Sequence, residues 1–364
     1  MTVYYDWRAL EEYAEVLEAY DRDVDFIKDY LNRYVFSESG LVTHEPTLWH
    51  ASRMLQDVAR SQTLTRLSHM SRLGEGSSKG LHSAAKFYKQ TEREQAEVLE
   101  RTYDTEDLLP GPPTNHANED EPYQRFFVSS ISYDVLRLER KDRGDDLGIH
   151  LHKLQEEIGW WADLPSPTAW ARKFCKWATS DWPGGGIDPV EELVKFFWAD
   201  WDAWIEATKA WRRVGAAVEA MRHDQLMQYL HLEDYWNGKA HAAAVAYFRD
   251  FAAAHKVEED YYDYMFKSYR AYAEFVFAYG QLVLDAATLC IDTIITMGVA
   301  TAARAAAGGA PAVLSKIWSV IEKFALFLTA IKQDVESFGA GQGDAPPCKL
   351  AAIRAPYDHP EKDW

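Results

Sequence analysis

An all-α fold is predicted by three features of the sequence. Apolar residues recur at alternating spacings of three and four over long stretches, which keeps them on one face of a helix. No run of alternating apolar and polar residues of strand length is evident, and no glycine-rich strand-turn-helix. Two long helical patterns are joined by Tyr235-Trp236-Asn237-Gly238, a tight corner with a large apolar side chain at the elbow. Glycine tolerates positive φ there, and tryptophan buries enough area to plug the open end of a helix pair.

Composition narrows the function. A chain of 364 residues can bury a substantial core, and 14 Trp with 20 Tyr inside helical patterns point to aromatic packing between helices. The net charge of -18 argues against nucleic-acid binding and against docking on an anionic leaflet. Cys175, Cys290 and Cys348 are far apart and odd in number, so neither a zinc site nor a disulfide framework is expected. The first residues are acidic and lack the charged and apolar regions of a secretory leader.

In chain order, Asp6 is expected to cap a helix beginning near Trp7. Leu10, Tyr13, Leu17, Tyr20, Val24, Ile27 and Leu31 form its seam, a heptad pattern for packing along its full length. A second helix is expected from about Leu48 to Leu73, with Leu55, Val58, Leu67 and Met70 in its apolar stripe, and a third from about Lys79 to Tyr103. Gly74-Glu75-Gly76-Ser77-Ser78 reads as the turn between them, and residues 108–122 as a Pro-rich linker. Residues 123–144 fit a short strand by their β-branched and aromatic content or a helix, and are read as helix because everything around them is helical; helices over 147–164 and 167–182 follow, and Gly184 to Gly186 lead into the second half.

Asp188-Pro189 has the form of a helix cap and first turn. Phe197, Trp201, Trp204, Thr208, Trp211, Gly215 and Val218 then repeat the four-three spacing in a helix expected to reach about Leu230. After the corner, residues 240–303 are helical in pattern, Gly308 to Pro311 is a turn, and a last helix covers about 312–338. The Gly/Pro-rich stretch 339–364 is expected to be disordered. The plan is one of tandem long helical hairpins forming four-helix-bundle-like units: 1–107, a linker with short helices over 108–186, a second unit over 187–338, and the tail.

A helix, a W-x-G turn and a second helix resemble the WXG superfamily of type VII (ESX) secretion substrates, common in actinobacteria. The resemblance rests on Asp188-Pro189, Asp200-Trp201, Trp236-Asn237-Gly238 and the run from Ala243 to Phe248, in that order. The first unit resembles EspC-like proteins through Gly80-Leu81-His82-Ser83-Ala84-Ala85-Lys86-Phe87-Tyr88. The family's export signal combines the W-x-G turn with Y-x-x-x-D/E beyond the second helix. Tyr103 and Asp107 match the latter on the first unit, and Trp236 and Gly238 the former on the second, so the signal is split.

The resemblance implies a non-enzymatic helical substrate or structural component of a secretion system. Its expected partners are the secretion machinery, a helical co-substrate or chaperone, or a second copy of the chain. Its expected location is secreted or cell-surface by a signal-peptide-independent route, and otherwise cytoplasmic. No catalytic residues and no cofactor are expected, since G-x-S-x-G, Walker, dinucleotide and H-E-x-x-H patterns are missing. His150 with His152 and His223 with His231 are poor metal pairs, and the run Glu258, Glu259, Asp260, Asp263 reads as a solvated face. The alternative is a membrane-active pre-pore or channel-forming effector using the apolar helix 275–303, interrupted by Asp285 and Asp292.

Overall fold

The computed structural model describes residues 5–37, 47–102, 125–128, 201–305 and 345–354, with isolated positions within 136–191 and 315–333. The fold is all-α: α1 (Trp7–Tyr34), α2 (Thr47–Thr102), α3 (Trp201–Asp224) and α4 (Lys239–Ala305) are its long helices. A 3-10 segment, Leu226–Asp234, joins α3 to the corner, and a short 3-10 turn covers Lys349–Ala352. Among the described residues the only β-type pairing is an isolated antiparallel bridge between Tyr5 and Trp236.

Asp6 starts α1 as the sequence predicts, its carboxylate accepting from the Arg8 amide at 3.0 Å. All seven seam residues of α1 are buried. Asp188 also accepts from the Glu191 amide, at 3.3 Å, as a helix cap would. The pairing partners fix the helix directions. Along α1, Trp7 meets Glu92, Glu18 meets Ser78, Asp21 meets Ser71 and Val35 meets Gln56, so α1 and α2 run antiparallel. Trp204 with Tyr269 and Arg222 with Glu259 make α3 and α4 antiparallel too. Thr63 with Tyr261 and Ser77 with Tyr247 set α2 against α4, while Arg213 with Tyr30 and Gln225 with Asp23 set α3 against α1. The result is a helical bundle in which α1 and α4 are parallel.

One apolar core joins helices from both halves of the sequence. Tyr13 packs edge-on against Phe248 at 5.2 Å, and Tyr20 against Phe251 at 5.8 Å. Of the expected α3 seam, Trp201, Trp204, Thr208, Trp211 and Val218 are buried and Gly215 is half-buried. Trp204 stacks on Tyr269 at 4.6 Å and 11°, and its indole donates to the Tyr269 carbonyl at 3.1 Å. Val58, expected in the α2 stripe, is instead 54% exposed.

Several expectations are corrected. The second and third helices are one: α2 passes through Gly74, Glu75, Gly76, Ser77 and Ser78 without a turn. Gly74, Gly76, Ser77 and Ser78 are buried, and a Cβ built on Gly74 would lie 2.8 Å from the Tyr20 ring. Small residues here let α1 approach closely rather than letting the chain reverse. The helix before the corner stops as α-helix at Asp224 and continues as 3-10 helix. Residues 125–128, read as helix, are not helical. The tail expected to be disordered is docked over 345–354, with Leu350 fully buried and Arg66 and Arg72 of α2 donating to its main chain. The expected turn at Gly308–Pro311 lies outside the described residues.

Gly74→Ala provides the check on the close approach. Alanine ordinarily stabilises a helix interior by about 1 kcal/mol over glycine. Here the clash with Tyr20 should reverse the sign and cost about 1–3 kcal/mol, read as a lower urea midpoint.

Candidate functional site

The W-x-G corner is assembled from chain segments far apart in sequence. Gly238 has φ 110, a conformation unfavourable for residues with a Cβ, and α4 begins at the next residue. Its carbonyl accepts the Ala242 amide at 3.1 Å, which starts the helical ladder. Trp236 is 4% exposed, and its indole Nε1 donates to the Tyr88 hydroxyl at 3.2 Å. Tyr88 is the last residue of the G-L-x-x-A-A-x-x-Y run, so the motif residues of the two halves meet side chain to side chain. Tyr88 also stacks on Tyr5 at 4.3 Å, and the Asp6 amide donates to the Tyr235 carbonyl at 2.7 Å. His241 packs edge-on against Trp236 at 5.7 Å.

The segment 125–128 closes the same end. Arg125 bridges Asp6 at 3.0 Å and Glu12 at 3.2 Å, and lies over the Tyr235 ring at 5.6 Å. Phe126 is buried 5.3 Å from the Tyr13 ring. Gln228 exchanges hydrogen bonds with the main chain of Phe127, both at 2.9 Å. Around this buried corner, Phe87, Phe127 and Leu230 are at least half exposed. Nothing in the local sequence of 125–128 marked it as part of the corner. Tyr103 and Asp107 lie outside the described residues.

Deeper in the bundle, α4 carries a buried polar layer where the sequence suggested a solvated acidic face. Glu258 is fully buried and receives both its bonds from Arg66 at 3.0 Å, while that guanidinium lies 3.8 Å over the Tyr261 ring. Burial raises the Glu258 carboxyl, and Arg66 opposes that rise. Glu259, 8% exposed, pairs with Arg222 of α3 and with Lys256. Burial raises it as well, but its hydrogen bonds to Lys256 and Arg222 win, leaving it lowered. Asp263 pairs outward with Lys267. The acids therefore diverge, and no three His, Cys, Asp or Glu side chains among the described residues converge to hold a metal ion. His150 stacks on Phe277 at 5.5 Å, His152 lies beside Glu156, and His223 beside Arg222.

His255 completes the layer. It is fully buried against Tyr20 and Phe251, and neither ring nitrogen has a hydrogen-bond partner. Burial depresses its pKa from 6.5 to about 3; Glu259 pulls it up and Arg222 pushes it down. The native state therefore holds the neutral ring, while the unfolded chain takes a proton below pH 6.5. Its contribution is present above that pH and is lost as pH falls toward the folded value, at about 1.4 kcal/mol per unit. His255→Leu should remove this slope. In urea titrations at pH 6.5 and 5.0, the variant should lose about 2 kcal/mol less than the parent chain.

Compared with protein-family models, curated proteins and solved structures, the chain has no significant match to any of them.

Proposed function

We propose that this chain is a non-enzymatic helical substrate or structural component of a type VII-like secretion system, acting by helix-helix recognition. The observation that carries the reading is the bond from Trp236 Nε1 to the Tyr88 hydroxyl, 3.2 Å, which ties the W-x-G turn to the G-L-x-x-A-A-x-x-Y helix. The meeting of a family-like turn with a family-like helix at one end of the bundle supports reading the two motifs as a unit. The exposed Phe87, Phe127 and Leu230 beside that corner supply apolar surface for a protein partner. In this reading Trp236 and Gly238 shape the end of the bundle, and Tyr103 with Asp107 are read by the export machinery.

Export tests it. The tagged chain is expressed in a host with an intact type VII system and in one lacking its motor ATPase, and culture filtrates are compared. Appearance only with the motor, lost in Tyr103→Ala while the melting temperature is unchanged, is the expected result. Retention in the cytoplasm of both hosts would sink the proposal.

A second reading, a membrane-active effector, is favoured by one observation. Lys239–Met297 of α4 is long and apolar enough to cross a membrane by length and composition. On this stretch Leu282 and Leu289 are 52% and 68% exposed, and Asp285 and Asp292 are exposed beside them. Protonating those carboxylates lowers the cost of insertion. The chain should then release dye from liposomes at pH 4.5 and not at pH 7; vesicles intact at both values count against it.

A further inference from the structure

The segment Ala345–Arg354 is held as a ligand is held. Its Ala345–Cys348 portion is not helical, Lys349–Ala352 makes one 3-10 turn, and Ile353 is extended again. Its only fully buried side chain is Leu350; Lys349, Ala351, Ala352 and Arg354 face solvent. The protein side of the contact is built in advance. Arg66 is fixed by the buried Glu258 carboxylate and by the Tyr261 ring beneath it, and its remaining Nη2 donates to the Pro346 carbonyl. Arg72, further along α2, donates to the Ile353 carbonyl at 3.0 Å. Burial and the neighbouring Glu258 carboxylate hold the Cys348 thiol above its ordinary pKa, so it stays a thiol.

Recognition thus consists of two guanidiniums reading main-chain carbonyls and one leucine side chain buried in the core. That is the usual division of labour in peptide grooves: the main chain supplies affinity and a few side-chain pockets supply specificity. The connection to the rest of the chain, from helical Gln333 to Ala345, contains Gly339, Gly341 and Gly343. A segment joined covalently to its own site through about a dozen residues competes there at a high effective concentration.

We propose that the groove between α2 and α4 is a binding site for an extended peptide of the form Pro-x-x-x-Leu, and that residues 345–354 are its resident ligand. The ligand class follows from the contacts. A proline favours an extended chain whose carbonyl meets Arg66, and a leucine in the position of Leu350 fills the hole. The resident segment keeps the groove closed until a competing segment displaces it. This site is independent of the secretion reading and of the W-x-G corner.

The test uses the full chain with Leu350→Asp, which retains the tether but empties the hole. A fluorescein-labelled synthetic peptide with the sequence of residues 343–354 should bind this variant saturably. It should bind the parent chain at least tenfold more weakly, because the resident segment competes. Binding should fall when Arg72→Gln is added to the variant, and vanish for a peptide with aspartate in place of Leu350. Should Leu350→Asp fail to fold, the parent chain itself serves. Lys349 lies within the docked segment, and excess unlabelled peptide should accelerate trypsin cleavage after it. Equal binding by parent and folded variant, equal binding of the aspartate peptide, or cleavage at Lys349 unmoved by millimolar peptide would each overturn the proposal.

Discussion

Glu258 is a carboxylate with no exposed surface, and a buried charge must be given a countercharge or a proton. Arg66 supplies the countercharge from α2, through two bonds at 3.0 Å to the two carboxylate oxygens. Both bonds come from Nη1, so one nitrogen serves the two oxygens while Nη2 is turned to Pro346. The pair fixes α2 against α4, and with them the contacts on either side: Thr63 with Tyr261 in one direction, Ser77 with Tyr247 in the other. It also orients the guanidinium edge that meets Pro346. Breaking such a pair by removing one partner leaves the other charge stranded, which costs about 3–5 kcal/mol. The pair therefore serves register more than net stability.

The same helix explains why so much else converges on it. Along its length α4 meets α3 through Tyr269 and Glu259, α2 through Tyr261 and Tyr247, and α1 through Phe248 and Phe251. Its interior is lined by Phe248, Phe251, Tyr261, Tyr262, Tyr269 and Tyr272, all buried. Aromatic side chains of that size are matched by small residues on the facing helices. Gly215 of α3 places its would-be Cβ 3.5 Å from Tyr262 Cβ, an ordinary contact distance. Alanine would fit at Gly215, whereas at Gly74 the Tyr20 ring at 2.8 Å leaves no room for a Cβ, so only there does a ring demand a missing side chain on its neighbour.

Much of this was legible in the sequence, and the misses share a cause. The α1 seam, the Asp6 and Asp188 caps, the start of α4 and the bend at Gly238 are local signals, set by spacing or by a residue's own backbone preference. Gly74 and Gly76 were ambiguous because glycine serves turns and close helix contacts equally, and only the position of Tyr20, over fifty residues away, decides between them. Consecutive acids on α4 read as solvated because Arg66 and Arg222, which draw two of them inward, are remote in sequence. Residues 345–354 read as disordered because a docked extended segment has no periodicity of its own. What holds it, one leucine and two distant arginines, is invisible in composition.

The corner carries a consequence for how its tryptophan can act. Trp236 is almost wholly enclosed, and its one donor is already used on Tyr88. A partner meeting the folded chain cannot read the indole directly. It can read only what the indole holds in place: the course of the chain through Gly238 into α4, the Tyr5–Asp6 segment bonded to Tyr235 and Trp236, and the exposed Phe87, Phe127 and Leu230 around them. Under a secretion role, the W-x-G turn is thus a framework for a recognition surface contributed by other segments. Because Tyr88 of one half anchors Trp236 of the other, the G-L-x-x-A-A-x-x-Y helix and the W-x-G turn present a single end of one bundle, and any partner that meets this end meets both halves of the chain at once.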